Sequence, residues 1–208
     1  MTHAAMREAA AKHLSRRCPK MRAVVKAVGP CTITLRRDRF GMLAHSILYQ
    51  QISGHAAKAI ERKLLANLPN GKLKAEGLAS LDDETFRASG VSAQKAKYLR
   101  SLAELTLEGK VKLTGLTRWS DQAIIDELVQ IKGVGVWTAQ MFLIFSLGRP
   151  DVLPWDDLGV RSAMRKLFAL EDLPKRDECE ALAAPWRPYA SVASWYCWRS
   201  LDVQDPGW

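Results

Sequence analysis

The chain has 208 residues, 48% of them hydrophobic, which suits one large domain or two small lobes around a real core. Its 31 lysines and arginines outnumber its 22 aspartates and glutamates, and the resulting charge of +9 favours a polyanionic partner. The four cysteines (Cys18, Cys31, Cys179, Cys197) form no C-x-x-C pair, which argues against a zinc ribbon and fits reduced thiols in a cytosol. The N-terminal stretch carries charges throughout and lacks the apolar run of a secretory signal, and no segment approaches the roughly 20 apolar residues of a membrane span.

In chain order, Thr2 to Arg17 is alanine-rich and helix-favouring, and Pro19 ends that run or opens the next helix. Met21 to Val28 reads as a second short helix, stopped by Gly29-Pro30. Thr32 to Leu35 alternates β-branched residues, as a short strand or an extended linker would, and the Arg36 to Arg39 cluster reads as a solvated turn. Phe40 to Gln51 has apolar residues at helical spacing. Ser53-Gly54 breaks it, and His55 to Leu68 follows as an amphipathic helix up to the turn Pro69-Asn70-Gly71. Leu73 to Ser89 holds one or two short helices with Asp82 as an N-cap, and Ser92 caps a helix from Ala93 to Glu108. Ser120 and Asp121 open the helix leading into the glycine turn. Later helices are expected at Leu158 to Leu170, Lys175 to Ala184 and the tryptophan-rich Tyr189 to Leu201, with a frayed tail from Asp202 to Trp208. The sum is an all-α fold of two helical lobes, with no internal repeat.

The most informative stretch is Asp126 to Val160. Asp126 to Ile131 is a short amphipathic helix, and Gly133 and Gly135 break it, because glycine takes positive φ in a tight turn. Trp137 to Leu147 is almost wholly apolar, as a helix buried on most faces would be. The turn carries little side chain to keep a large anion away, so backbone N–H groups opening the next helix can meet a phosphate. Asp156 and Asp157 then precede Leu158, where a new helix can start with a carboxylate at the positive end of its dipole. A protein that only bound DNA would gain nothing from carboxylates near phosphates, whereas an enzyme that stabilises a cation on DNA needs one. Glycine turns and capping aspartates are common in themselves, so the residues alone leave that plainer reading open.

Ile131 to Ala139 (IKGVGVWTA) followed by Val152 to Val160 (VLPWDDLGV) resembles the hairpin and catalytic-aspartate segment of the helix–hairpin–helix DNA glycosylases, and among them the 3-methyladenine (alkylpurine) DNA glycosylase II group. Ala44 to Ala57 (AHSILYQQISGHAA), Gly90 to Ala103 (GVSAQKAKYLRSLA) and Pro185 to Trp198 (PWRPYASVASWYCW) match the same group, so the likeness spans roughly Arg39 to Leu201. The resemblance implies a compact form without an N-terminal β domain. It implies a middle lobe of about 45–125, a second lobe from about 1–44 and 126–208, the hairpin at 131–137 at their junction, and the substrate cleft between the lobes. It also implies a monomer acting on double-stranded DNA that contains alkylated bases, in the cytoplasm near a nucleoid or in a nucleus, with no membrane partner.

Residue by residue, the resemblance assigns catalysis to Asp157, which would stabilise oxocarbenium character at C1′, and leaves Asp156 as a helix cap or structural carboxylate. Trp195, Trp137, Tyr49, Trp186 and Tyr189 are the candidates for the base pocket, where an indole face favours a cationic alkylated purine. Lys132, Gly133, Val134, Gly135 and Thr138 form the DNA-binding hairpin. Gln50, Gln51 and Ile52 are the wedge candidates, the chain departing here from relatives that use leucine at the Gln51 position. The main-chain carbonyls of Val129, Ile131 and Val134 are the implied ligands for Na⁺ or K⁺. With only Cys179 and Cys197 near the C-terminus, no iron–sulfur cluster is expected. Relatives that nick the strand carry a Schiff-base lysine where this chain has Trp137, so a monofunctional enzyme leaving an abasic site is expected. The expected bases are 3-methyladenine and 7-methylguanine. Excision of hypoxanthine, ethenoadenine or uracil on the same fold, or non-catalytic binding of damaged DNA, are the alternatives.

Overall fold

The computed structural model describes residues 2–201, so the tail expected to fray lies outside the described residues. Within them the chain is helical, with no strand: α1 (His3–Arg17), α2 (Pro19–Val28), α3 (Arg39–Tyr49), α4 (Gly54–Leu65), α5 (Ala75–Ser80), α6 (Asp83–Ala88), α7 (Ala93–Leu107), α8 (Asp121–Leu128), α9 (Val136–Phe145), α10 (Leu158–Phe168), α11 (Arg176–Ala183) and α12 (Ala190–Ser200). None of the described helices is long and apolar enough to cross a membrane.

The helices begin where the polar caps dictate. Thr2, Ser53, Asp82, Ser92 and Ser120 each accept a hydrogen bond from the backbone N–H three residues on, satisfying a donor that the first helical turn leaves unpaired. Asp38 does the same for α3, accepting from Gly41 N–H at 3.1 Å, so the basic cluster expected as a turn contains a helix start. Pro19 occupies the first position of α2, where its missing N–H costs nothing. Thr32 to Leu35 forms no strand. Ile33 is buried, and its carbonyl accepts from Arg7 Nη1 at 2.8 Å, a side chain supplying what a sheet ladder would have supplied.

The described chain divides into two units, residues 2–35 with 143–201, and residues 36–142. In the first, α12 is the central element. All its residues from Ala190 to Trp198 are buried, it packs on α1, α2 and α10, and Tyr196 donates its hydroxyl to the Gly29 carbonyl at 2.9 Å. In the second, α7 is central, packed by α3, α5 and α6. The boundaries differ from the expected 45 and 125. Residues 36–44 belong with α4 and α7 because α3 is one continuous helix buried from Phe40 to Leu48 except at Gly41, and residues 126–142 belong there because the hairpin is bonded to α3 and α7.

Across the turn between α3 and α4, His45 Nδ1 lies 3.0 Å from Glu61 Oε1, and Tyr49 donates its hydroxyl to Glu61 Oε2 at 3.1 Å. The His45 and Tyr49 rings stack with centroids 3.8 Å apart. The hydrogen bond from His45 holds Glu61 below the usual carboxylate range, while burial and the Glu61 charge push the Tyr49 hydroxyl up to about 12. A lowered folded value means that the stability from Glu61 is full above about pH 4.5, the ordinary value, and is lost as pH falls through the lowered one. Urea midpoints measured across that acid range should therefore fall less steeply for Glu61→Gln than for the wild type.

Candidate active site

In the first unit, the loop before α10 is pinned to α12. Ser191 Oγ donates to the Arg149 carbonyl at 2.7 Å and accepts from Val152 N–H at 2.9 Å, and Asp151 Oδ1 accepts from Ala190 N–H at 3.0 Å. Val152, Leu153 and Pro154 are buried, and Asp157 N–H closes a turn onto the Pro154 carbonyl at 3.0 Å. Asp157 is thereby delivered as the N-cap of α10. Its Oδ1 accepts from Val160 N–H at 2.8 Å and from the Trp198 indole Nε1–H at 2.7 Å. The capping role expected of Asp156 therefore belongs to Asp157, because a cap must stand three residues before the amide it accepts from; Asp156 is exposed. The charge of Asp157 also reaches the fully buried Cys197 thiol, which burial above all, and then that charge, push upward.

The indole reaches the carboxylate because Gly159 has no side chain. A Cβ there would lie 2.8 Å from Trp198 Cδ1 and 3.1 Å from Asp157 Oδ1. On its other side, Trp198 stacks with Phe145, centroids 5.7 Å apart at 28°. Trp195 lies one helical turn before Trp198 on α12, is 8% exposed, and meets Tyr196 edge-on at 5.0 Å. Trp186 does not fit the pocket role: it is 0% exposed in the 3₁₀ turn Ala184–Trp186, against α1 and α11, and can offer no face to a base. Tyr189 is half-buried beside His13, edge-on at 5.3 Å.

The second unit holds the hairpin and the wedge turn. α8 ends at Leu128, earlier than the pattern suggested, and Val134 N–H bonds the Ile131 carbonyl at 3.0 Å. Gly133 has φ +83 and lies against the ring of Tyr98, where a Cβ would collide with it. Gly135, expected to share the positive φ, does not have one; it is exposed with open space where a Cβ would be, and its carbonyl accepts the Ala139 N–H of α9. Lys132 is exposed, its amide bonded to Ser101 Oγ at 3.2 Å, while Val134 and Thr138 are buried. Trp137 is half-buried in the first turn of α9.

Of the wedge candidates, Gln50 is tied down, its Nε2 donating to the Gly133 carbonyl at 2.8 Å. Gln51 is exposed in the left-handed region at φ +57, and Ile52 is 37% exposed. Lys95 Nζ donates to the Leu48 carbonyl at 2.6 Å near the end of α3, and burial lowers the Lys95 pKa. Gln51, Ile52, Gln94, Lys95, Tyr98 and Gly133 are among the residues around a groove of about 490 Å³. Tyr49, expected in the base pocket, has its hydroxyl committed to Glu61.

A family model described as HhH-GPD superfamily base excision DNA repair protein matches residues 44–188. The chain belongs to the HhH-GPD superfamily. It is 34% identical over 198 residues to DNA-3-methyladenine glycosylase 1 of Schizosaccharomyces pombe, covering 93% of this chain and 87% of that protein. The solved structure of a 3-methyladenine DNA glycosylase from the same yeast, in complex with abasic DNA, matches with a TM-score of 0.83 at 33% identity, over 94% of this chain and 97% of that one. A DNA-3-methyladenine glycosidase from Bacillus halodurans matches with a TM-score of 0.83 at 31% identity, over 92% and 88%. The HhH-GPD match ends at Pro188, so Trp195 and Trp198 lie beyond it.

Trp198, Gly159 and Tyr98 have no role in the sequence reading. The signal for Trp198 was its spacing of three from Trp195, which places both on one face of a helix. Tyr98 had none, since nothing local says which ring will underlie a glycine distant in sequence. In this HhH-GPD hairpin Gly133→Ala must both enter the left-handed region, at about 1–2 kcal/mol, and displace Tyr98. Urea denaturation should show a loss of at least that size, whereas Gly135→Ala, with open space and no positive φ, should change stability by less than about 1 kcal/mol.

Proposed function

We propose that this chain is a monofunctional DNA glycosylase that releases alkylated purines, 3-methyladenine and 7-methylguanine, from double-stranded DNA, acts as a monomer and leaves an abasic site. The observation carrying this reading is the Asp157 carboxylate, fixed by two N–H donors at the start of α10 within the family motif. The names of the relatives support the substrate class, and the abasic DNA bound to the yeast enzyme supports the partner.

A base inside a duplex is out of reach, so the target nucleotide must be flipped out. The amides of Gly135 and Val136, at the opening of α9, serve as the phosphate contact, with exposed Lys132 adding charge. Exposed Gln51 and Ile52 fill the gap left in the stack. The carbonyls of Val129, Ile131 and Val134 are neutral oxygen donors of the kind a monovalent cation takes, and Ile131 O keeps a second lone pair beside its bond from Val134; a bound Na⁺ or K⁺ would add positive charge for a phosphate. Trp195 receives the base, whose positive charge an aromatic face favours by about 0.5–2 kcal/mol.

At the sugar, the C1′–N bond breaks with its electron pair going to the purine. An alkylated purine is already cationic, so it leaves neutral and little proton donation is required. The positive charge that grows on C1′ and the ring oxygen is countered by the Asp157 anion. Water then adds at C1′ and releases one proton to solvent, so that neutral purine, abasic sugar and H⁺ balance the cationic nucleotide and water. With tryptophan at position 137 in place of an amine nucleophile, no Schiff base forms and the strand stays intact.

Asp157→Asn keeps an oxygen for Val160 and Trp198 and so preserves the cap. Single-turnover assays on methylated duplex should show release of free base falling at least about 100-fold, with affinity for an abasic-analogue duplex retained. Wild-type release by this variant would refute the assignment, and release of hypoxanthine or ethenoadenine instead, from a panel of single-lesion duplexes, would change the substrate. Because phosphate contacts dominate, affinity should drop about tenfold or more between about 50 and 200 mM salt, and a flat response in a fluorescence-anisotropy titration would count against the hairpin footprint.

A further inference from the structure

Asp157 Oδ1 accepts a side-chain hydrogen bond from the Trp198 indole, whose surroundings permit little adjustment. The ring is held on one side by Phe145, and at its Cδ1 edge it passes directly over Gly159, within the distance any Cβ would need. Indole Nε1–H is a donor only: it cannot accept a proton, and it yields none near neutral pH. The second contact to Oδ1, Val160 N–H, is likewise a donor. Both donors meet the same oxygen, so the carboxylate is held at one atom from two directions.

We propose that Trp198 is the positioning residue for Asp157, holding its carboxylate in one orientation, with Gly159 as the clearance that lets the indole approach. This inference rests on the glycosylase reading above. It adds that the placement of this carboxylate depends on a residue of α12, outside the segment that carries Asp157. The indole adds a second direction to that of the backbone amide and so limits rotation of the carboxylate about its Cβ–Cγ bond.

The test replaces Trp198 by β-(3-benzothienyl)alanine, which keeps the bicyclic shape and the Phe145 stack but has sulfur in place of N–H. Single-turnover release of alkylated base should fall about 10- to 100-fold, as expected for loss of one hydrogen bond to a charged group, while the dissociation constant for abasic-analogue duplex stays within about twofold. Gly159→Ala, which pushes the ring away but favours the helix, should reproduce the loss in rate. Restoring tryptophan at 198 in the same expression system should restore it. In parallel, the Trp198 indole proton in ¹⁵N-resolved NMR, identified by its disappearance in Trp198→Phe, should move upfield in Asp157→Ala. A benzothienyl variant with the wild-type rate, or an indole resonance indifferent to Asp157→Ala, would overturn the proposal. If the wild type released no base from any lesion, the glycosylase reading would fail, and the indole resonance would still decide whether Trp198 holds Asp157.

Discussion

Two hydrogen bonds to a single oxygen, Asp157 Oδ1, join what would otherwise be separate features of the first unit. One comes from the amide of Val160, the ordinary donor of an N-capped helix; the other comes from an indole on α12. Magnitudes separate their purposes. A cap is worth about 1 kcal/mol, and Ser, Thr or Asn would serve as well as Asp. Preorganised electrostatics aimed at charge developing in a transition state is worth roughly 3–4 kcal/mol for each contact, and only a carboxylate provides the sign a sugar cation needs. The fold asks for a capping oxygen at this position; the proposed chemistry is what asks for the charge on it. The Ser191 and Asp151 contacts, which bind the preceding loop to the start of α12, keep both ends of that arrangement on one rigid support.

The second unit applies the same economy to backbone. The hairpin carries few side chains of its own, and neighbours hold it in place: the ring of Tyr98 beneath Gly133, Ser101 on the Lys132 amide, and the Gln50 amide group on the Gly133 carbonyl. Gln50 also belongs to the turn that presents Gln51 and Ile52, and Lys95 holds the Leu48 carbonyl just before that turn. The glycine hairpin and the turn between α3 and α4, from segments some 80 residues apart, are thus connected by a side-chain hydrogen bond.

Much of this was legible from residue order. The caps Asp82, Ser92 and Ser120 are strictly local chemistry, and the helices they open begin where the pattern placed them. The carboxylate pair was visible in a basic chain, but it was the family resemblance that singled out Asp157, since the residues alone left a plain capping role open. What was hidden depends on distant partners. A β-branched run reads as a strand until an arginine from α1 takes its carbonyl, as happens to Ile33. Trp186 and Trp195 cannot be told apart by type or spacing, yet Trp186 is fully enclosed while Trp195 keeps 8% of its surface exposed. Neighbouring glycines looked equivalent, yet of the two only Gly133 has the left-handed backbone and only Gly133 lies against a ring from α7. The split between Asp156 and Asp157 turned on a single residue of helix register.

The turn between α3 and α4 carries a restriction that operates before any nucleic acid arrives. Gln51 sits at φ +57 without being glycine. That region is tolerated by asparagine, costs unbranched side chains about 1–2 kcal/mol and is worse still for valine, isoleucine or threonine. The repertoire of side chains able to occupy the tip is therefore narrowed by main-chain geometry. Flexible, unbranched groups remain, and the isoleucine follows one position later, where the backbone tolerates it.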